Sequence, residues 1–328
     1  MEKICKVSLI GLNSKLGSEI TTAKKDAARN GVTKLYLLGE ENLIDFTSQV
    51  VITIFKKLGT DISRIRGIFG SSNPTAKFLV PSFTACVASE LGLKNIICDH
   101  IGLGCSGGLQ ALRNAYNQAI VDYTAGKIGY YLVIMGDQTS RLLDQNDFST
   151  SFLFSEGAAA ILLTNDQNEG RGYKIEKIGT KSLLGESIYD LRIKNPYDSL
   201  NKLGMIPKLK MNGLRVFQFA INIFPDILDL IGLKSMDKYT YFIPHQANLR
   251  IIKGIIKNNP NQLNPSNVYS DGIKNGNTSS ASVFFGLNDS LKRGLFNQGY
   301  SVILGTFGAE LQIGAALLLP QKEDLYVL

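Results

Sequence analysis

GYYLVIMG, residues 129–136, is an apolar run of strand type closed by glycine at both ends, and it returns as GYSVILG at residues 299–305. Each copy is followed by an irregular stretch and then by a second small-to-aliphatic run, GAAAILL at 157–163 and GAALLL at 314–319. Apolar strands resemble one another by chance, so a single pair carries little. Two pairs in the same order point to an internally duplicated fold. The polar, glycine-containing stretch 165–172 is the natural joint, dividing the chain into halves 1–168 and 169–328.

Around these runs, strand-like segments alternate with segments of helical period, the pattern of an α/β protein with buried strands. Strands are expected at 6–11, 67–70, 130–136, 159–163 and 241–243, and helices at 43–58 and 106–125. In the first helix Ile44, Val51, Ile52, Phe55 and Leu58 fall along one face, the spacing of a helix laid on a sheet.

Composition narrows the function classes. The 328 residues are 44% hydrophobic and 19% charged, which describes a large folded core rather than a disordered or disulfide-stapled chain. The 35 basic and 28 acidic residues leave +7, too interspersed for a nucleic-acid surface but favourable to acidic partners. Cys5, Cys86, Cys98 and Cys105 include no C-x-x-C pair, and with His100 and His245 the only histidines, a zinc site is not expected. The N-terminal MEKICKVSLIGLNSK has no leader pattern, and no apolar run reaches the roughly 18 residues of a membrane span. A cytoplasmic protein with free thiols, and neither membrane nor nucleic acid as partner, is expected.

Three loop residues could carry chemistry. Cys105 lies in GLGCSGG, 102–108, just before the helix expected at 106–125, where the partial positive charge of a helix N-terminus lowers a thiol pKa. A buried structural thiol is the equally weighted alternative. His245 lies in FIPHQANLR, 242–250, where an apolar strand ends, the place sites gather in α/β sheets, although a lone histidine is more often structural. Asn277, in NGNTSSAS, 275–282, precedes another helix and reads equally as a cap or turn residue.

Together these segments resemble the type III β-ketoacyl-acyl carrier protein synthases of the thiolase superfamily. PHQANLR at 244–250 and GNTSSAS at 276–282 carry the resemblance. Ser140-Arg141 with Asp144 and Asp147, FSEGAAA at 154–160 and MNGLRVF at 211–217 support it. It implies a thiolase-like αβαβα layered fold of two duplicated halves, assembled as a homodimer. It also implies Cys105 as acyl-accepting nucleophile, with His245 and Asn277 assisting decarboxylation of a malonyl thioester. Backbone donors to the oxyanion would come from Cys105 and from the turn at Gly308 and Ala309. The acyl pocket would involve Val80, Phe148 and Phe307, with Val80 reaching the partner's pocket. Substrates ride as phosphopantetheine thioesters with no separate cofactor, and acyl carrier protein is the implied partner. Arg250, Lys253 and Lys257, spaced by three and four on one helix face beside His245, are its docking candidates.

Departures from the family pattern point to a specialised relative. The tryptophan and R-T-G-I motif associated with coenzyme A correspond to Lys25 and Arg29-Asn30-Gly31-Val32, and the adenine-stacking arginine to Phe148. The glycine-rich turn carries Ala309 and Glu310, and Val80 replaces a gating phenylalanine. Decarboxylating condensation is the leading reading. Acyl transfer from Cys105 to a hydroxyl, amine or thiol is the alternative, and a non-catalytic subunit is a third. Plant-type polyketide synthases lack this PHQANLR segment, and hydroxymethylglutaryl synthases need a further catalytic glutamate, for which Glu90 is the nearest candidate.

Overall fold

The computed structural model describes residues 5–21, 30–73, 80–102, 104–143, 147, 150, 152–183, 212–308 and 311–327. The repeated runs become adjacent strand pairs. Tyr130–Asp137 (β6) lies antiparallel to Gly157–Thr164 (β7), and Ser301–Phe307 (β10) lies antiparallel to Gln312–Pro320 (β11). Outside each pair a parallel strand is added, Ile65–Ser71 (β4) beside β6 and Thr240–Pro244 (β9) beside β10. Ile97–Ile101 (β5) closes the edge next to β4. Ser8–Leu16 (β1) and Tyr173–Ser182 (β8) join the two sets through the register Leu9↔Tyr173, giving the order β5-β4-β6-β7-β1-β8-β11-β10-β9. Tyr326–Val327 (β12) pairs with β1, while Ser18–Thr21 (β2) and Lys34–Leu37 (β3) form a separate hairpin. The expected joint, 165–172, is the turn between β7 and β8.

The strands read as unbroken apolar runs because both of their faces are covered. In β6, Tyr131, Val133 and Met135 enter one core while Tyr130, Leu132 and Ile134 enter another. The first core is central. Helix Gly107–Thr124 (α3) lies there against β4 and β6 of the first half and against β8 and β11 of the second. Beside it, helix Ser282–Lys292 (α7) adds Val283, Phe284 and Leu287. Helices Leu43–Leu58 (α1) and Phe83–Glu90 (α2) cover the outer face of the first half. Phe224–Leu230 (α5) and Leu249–Asn258 (α6) cover that of the second, packing Ile227, Ile252 and Ile255 on Phe242, Ile303 and Ile313. Gly213–Ala220 (α4) packs against α6. The order helix, sheet, helix, sheet, helix is the thiolase-like αβαβα arrangement.

Local expectations hold at the level of elements and shift at their edges. The first helix spans 43–58 as expected, started by the Asn42 side chain accepting from the Ile44 N–H and ended by Gly59 at φ 63°. Its buried stripe differs: Leu43, Phe46, Val50, Val51, Ile54 and Phe55 are buried, whereas Ile44, Ile52 and Leu58 are only half-buried. Contact with β7 and β1 turns the helix by about one residue from the face expected. The strand expected at 6–11 runs instead from Ser8 to Leu16, because pairing with β7 continues past Asn13 to Leu16↔Gly157. Among the described residues, no helix is long and apolar enough to cross a membrane.

Candidate active site

Cys105 sits in a single 3-10 turn, Gly104–Ser106, between β5 and α3. Two glycines let remote backbone reach it. A Cβ on Gly108 would stand 2.2 Å from the Ser280 carbonyl oxygen, and one on Gly308 would stand 2.9 Å from Ser106 Oγ. The first turn of α3 therefore presses on the 279–281 turn, and the end of β10 presses on the Cys105 turn. Ser279 Oγ comes to 3.7 Å from Cys105 Sγ.

Asn277 is anchored through its backbone. Its N–H donates to the Leu153 carbonyl at 2.8 Å, and its carbonyl accepts from the Ser155 N–H at 3.0 Å. Its side-chain Oδ1 accepts from the Ser279 N–H at 2.8 Å, which leaves the Nδ2 amide as its donor, and that side chain hydrogen-bonds Cys105. Burial pushes the Cys105 thiol up to about 11. Hydrogen bonding from Ser279 and Asn277 opposes the shift, while the charge of Asp137 adds to it. The resting nucleophile is a thiol.

His245 follows β9 directly and is 1% exposed. Its N–H donates to the Gly305 carbonyl at 2.8 Å, tying it to β10, and the Phe307 ring meets the imidazole edge-on at 5.0 Å. Nδ1 is hydrogen-bonded to Ser282 Oγ, and that oxygen also accepts from the Gln246 N–H at 3.4 Å. The serine hydroxyl has both a proton and a second lone pair for Nδ1, and donation by Ser282 corresponds to the tautomer carrying its proton on Nε2. Burial lowers the imidazole to about 3, so it is neutral at physiological pH.

Other expected positions behave unequally. The Gly308 N–H donates to the Gln312 carbonyl at 2.9 Å, so it is not free to hold an oxyanion, and the glycine instead serves close packing. Phe307 is buried against His245 and the core of the second half. Val80 is 85% exposed on the single chain. Arg250, Lys253 and Lys257 are exposed on α6, opposite the buried Ile251, Ile252 and Ile255. Glu90 is exposed at the end of α2, unlike a glutamate held in a reaction centre. Lys25, Arg29, Asp144, Phe148, Ala309, Glu310 and Met211 lie outside the described residues.

Two carboxylates escaped the sequence reading. Glu156 accepts from the Leu38 N–H at 2.8 Å and from the Ser140 N–H and hydroxyl, so the Ser140 and FSEGAAA signatures knit loops together. Asp137 closes β6 directly beneath the Cys105 cluster, and the only sequence signal was an acid ending a wholly apolar strand. A separate polar pocket of about 190 Å³, lined by Gln246, Thr278, Ser282 and Asn288 among others, includes neither Cys105 nor His245 in its wall.

Residues 100–182 match the family described as 3-oxoacyl-[acyl-carrier-protein (ACP)] synthase III, and residues 231–319 match its C-terminal domain. The chain is 30% identical over 302 residues to the β-ketoacyl-[acyl-carrier-protein] synthase III of Campylobacter jejuni, covering 91% of this chain and 89% of that one. The chain belongs to the 3-oxoacyl-[acyl-carrier-protein] synthase III family. A synthase III of Latilactobacillus sakei is likewise 30% identical, over 303 residues and 89% of each chain. The solved synthase III of Pseudomonas aeruginosa PAO1 shares the fold at TM-score 0.81 and 24% identity, covering 97% of this chain and 99% of its own. The priming β-ketosynthase of the R1128 polyketide pathway superposes at TM-score 0.82 with 26% identity, covering 96% of each chain. The protein is thus a synthase III-like condensing enzyme of the thiolase superfamily.

Proposed function

We propose that the protein loads an acyl group onto Cys105 and condenses it with a malonyl thioester on acyl carrier protein, releasing carbon dioxide and a β-ketoacyl thioester. What carries the reading is the pair of donors left over at the site. Ser282 hydrogen-bonds Nδ1 of His245 and the Ser279 N–H occupies Oδ1 of Asn277, so we assign His245 Nε2–H and the Asn277 Nδ2 amide, which lies beside Cys105, to a developing enolate oxygen.

Loading is neutral in protons. Cys105 Sγ bonds to the thioester carbon, the carbon–sulfur bond of the donor breaks, and the departing sulfur takes the thiol proton, with the Cys105 N–H facing the oxyanion. In the second step the bond to the malonyl carboxylate breaks, carbon dioxide leaves, and the electron pair becomes an enolate held by His245 and Asn277. The enolate carbon attacks the acyl-Cys105 carbonyl and expels the thiolate. One proton from solvent restores the thiol, and a thiol near 11 takes it readily at neutral pH.

Substrates arrive as phosphopantetheine thioesters, so the scheme calls for no further cofactor. Loss of the adenine-stacking residues favours a carrier-protein donor over coenzyme A. We place the enzyme in the cytoplasm as a homodimer of chains with halves 1–168 and 169–328, in fatty-acid synthesis or a specialised polyketide branch of it. Intact-protein mass spectrometry with a panel of acyl donors tests the loading, and Cys105→Ala abolishes the mass gain. Asn277→Ala and His245→Ala slow malonyl decarboxylation by about 100-fold or more while sparing loading. Equal loss of both half-reactions contradicts this division. No decarboxylation of any malonyl thioester by the wild type points to simple acyl transfer instead.

A further inference from the structure

Asp137 is 1% exposed and takes no part in the scheme above. Its Oδ1 accepts the Asn73 N–H at 2.5 Å, and its Oδ2 accepts the Ser280 N–H at 3.1 Å and the Ser280 hydroxyl at 2.7 Å. Burial pushes this carboxyl up, and donors on both oxygens oppose that by favouring the ionised form. Asn73 and Ser280 both flank Ser279, whose N–H is held separately by Asn277 Oδ1. Asn73 Nδ2 donates to Ser279 Oγ at 3.3 Å, and Cys105 Sγ lies 3.7 Å from the same hydroxyl, whose hydrogen bonding favours the thiolate and also reaches Asp137. Ser279 has φ 51°, a left-handed conformation that a non-glycine residue keeps where its surroundings impose it.

We propose that Asp137 is a positioning residue for the nucleophile: its carboxylate clamps Asn73 to Ser280 and so holds the Ser279 hydroxyl as a hydrogen-bond donor to Cys105 Sγ. The inference rests on Cys105 being the acyl acceptor, but its test needs no turnover. Among the described residues, the other ionisable groups near the cluster are His245 at the end of β9, and Asp99 and His100 on β5; His100 Nε2 lies 3.1 Å from Ser72 Oγ, and the imidazole senses the charges of Asp137 and Asp99. Burial lowers both imidazoles, leaving Asp137 as the charge that acts on Cys105. That charge acts on the thiol in two opposed ways. Directly it disfavours the thiolate; through Ser279 it favours it. The opposed signs separate the two roles.

The measurement is the rate of iodoacetamide alkylation of Cys105 in the full-length protein, read by peptide mass spectrometry at about pH 8, where rate follows thiolate fraction. Ser279→Ala slows it by about tenfold, the scale of one hydrogen bond to a charged sulfur. Asp137→Asn slows it by about threefold or more although a repelling charge is gone, and in the Ser279→Ala background it no longer slows it, because only the direct charge effect is left. Ser280→Ala keeps the charge, loosens one side of the clamp and slows alkylation too, which covers the case of Asp137→Asn failing to fold. Faster or unchanged alkylation in folded Asp137→Asn or Ser280→Ala overturns the proposal, as does equal slowing by Asp137→Asn with and without Ser279. Failure of acyl loading in a wild type that alkylates normally would instead sink the nucleophile assignment.

Discussion

Burial holds the Cys105 thiol near 11 and the His245 imidazole near 3, so the resting pair is neutral at physiological pH rather than a thiolate with an imidazolium. Charging both would desolvate a thiolate and an imidazolium, and the charge that acts on Cys105, that of Asp137, disfavours the thiolate. The consequence for pH is definite. Alkylation of Cys105 climbs by about tenfold per unit through the neutral and mildly alkaline range, since the thiolate fraction rises in that proportion below the thiol pKa. A plateau beginning near pH 7 would show that the helix N-terminus outweighs burial after all. Asn277 was left open by the sequence between turn residue and catalytic donor; the structure fixes its backbone and Oδ1 in the turn, and the donor role of its amide belongs to the proposed reaction.

At the scale of elements, α3 and α7 bring the chemistry together because they are central rather than peripheral. Each starts at a reactive loop, and Gly108 lets their beginnings touch. Helix α6 faces the other way. Its buried side is Ile251, Ile252 and Ile255, and its exposed side presents Arg250, Lys253 and Lys257 without a carboxylate of the described residues in ion-pairing range. Exposed charges set encounter rates and are screened by salt. Arg250→Glu combined with Lys253→Glu therefore lowers turnover of carrier-bound substrate, most at low ionic strength, and leaves an acyl-pantetheine mimic nearly unaffected. Equal losses with both substrates would place the patch in the fold's stability instead.

For the whole molecule, the exposed places on one chain matter most. Val80 is 85% exposed ahead of α2, the most exposed of the large hydrophobic side chains among the described residues, and Ile97 on edge strand β5 is 40% exposed. In the proposed homodimer these surfaces meet a second copy, and Val80 enters the partner's acyl pocket. Light scattering on the purified protein then gives twice the 35.9 kDa of one chain. Val80→Phe shortens the longest acyl group accepted while the shortest still loads. A monomer, or an unchanged chain-length preference, refutes this arrangement.

The α/β class, the duplication and the positions of Cys105, His245 and Asn277 were legible in the chain because each depends on local order. Period, glycine punctuation and short signatures survive without knowledge of what packs against them. The both-faces-buried character of β6 and β10 is likewise written in their unbroken apolar runs. Protonation, tautomer and support were not legible, because they come from residues far away in sequence. Cys105 meets Ser279 across 174 positions, Asp137 meets Ser280 across 143, and His245 meets Ser282 across 37. The loss of Gly308 as an oxyanion donor and the one-residue turn of the α1 stripe have the same origin. Desolvation and hydrogen-bond partnership are fixed only when the layers close, since both depend on which remote groups exclude water from a site and which supply its donors.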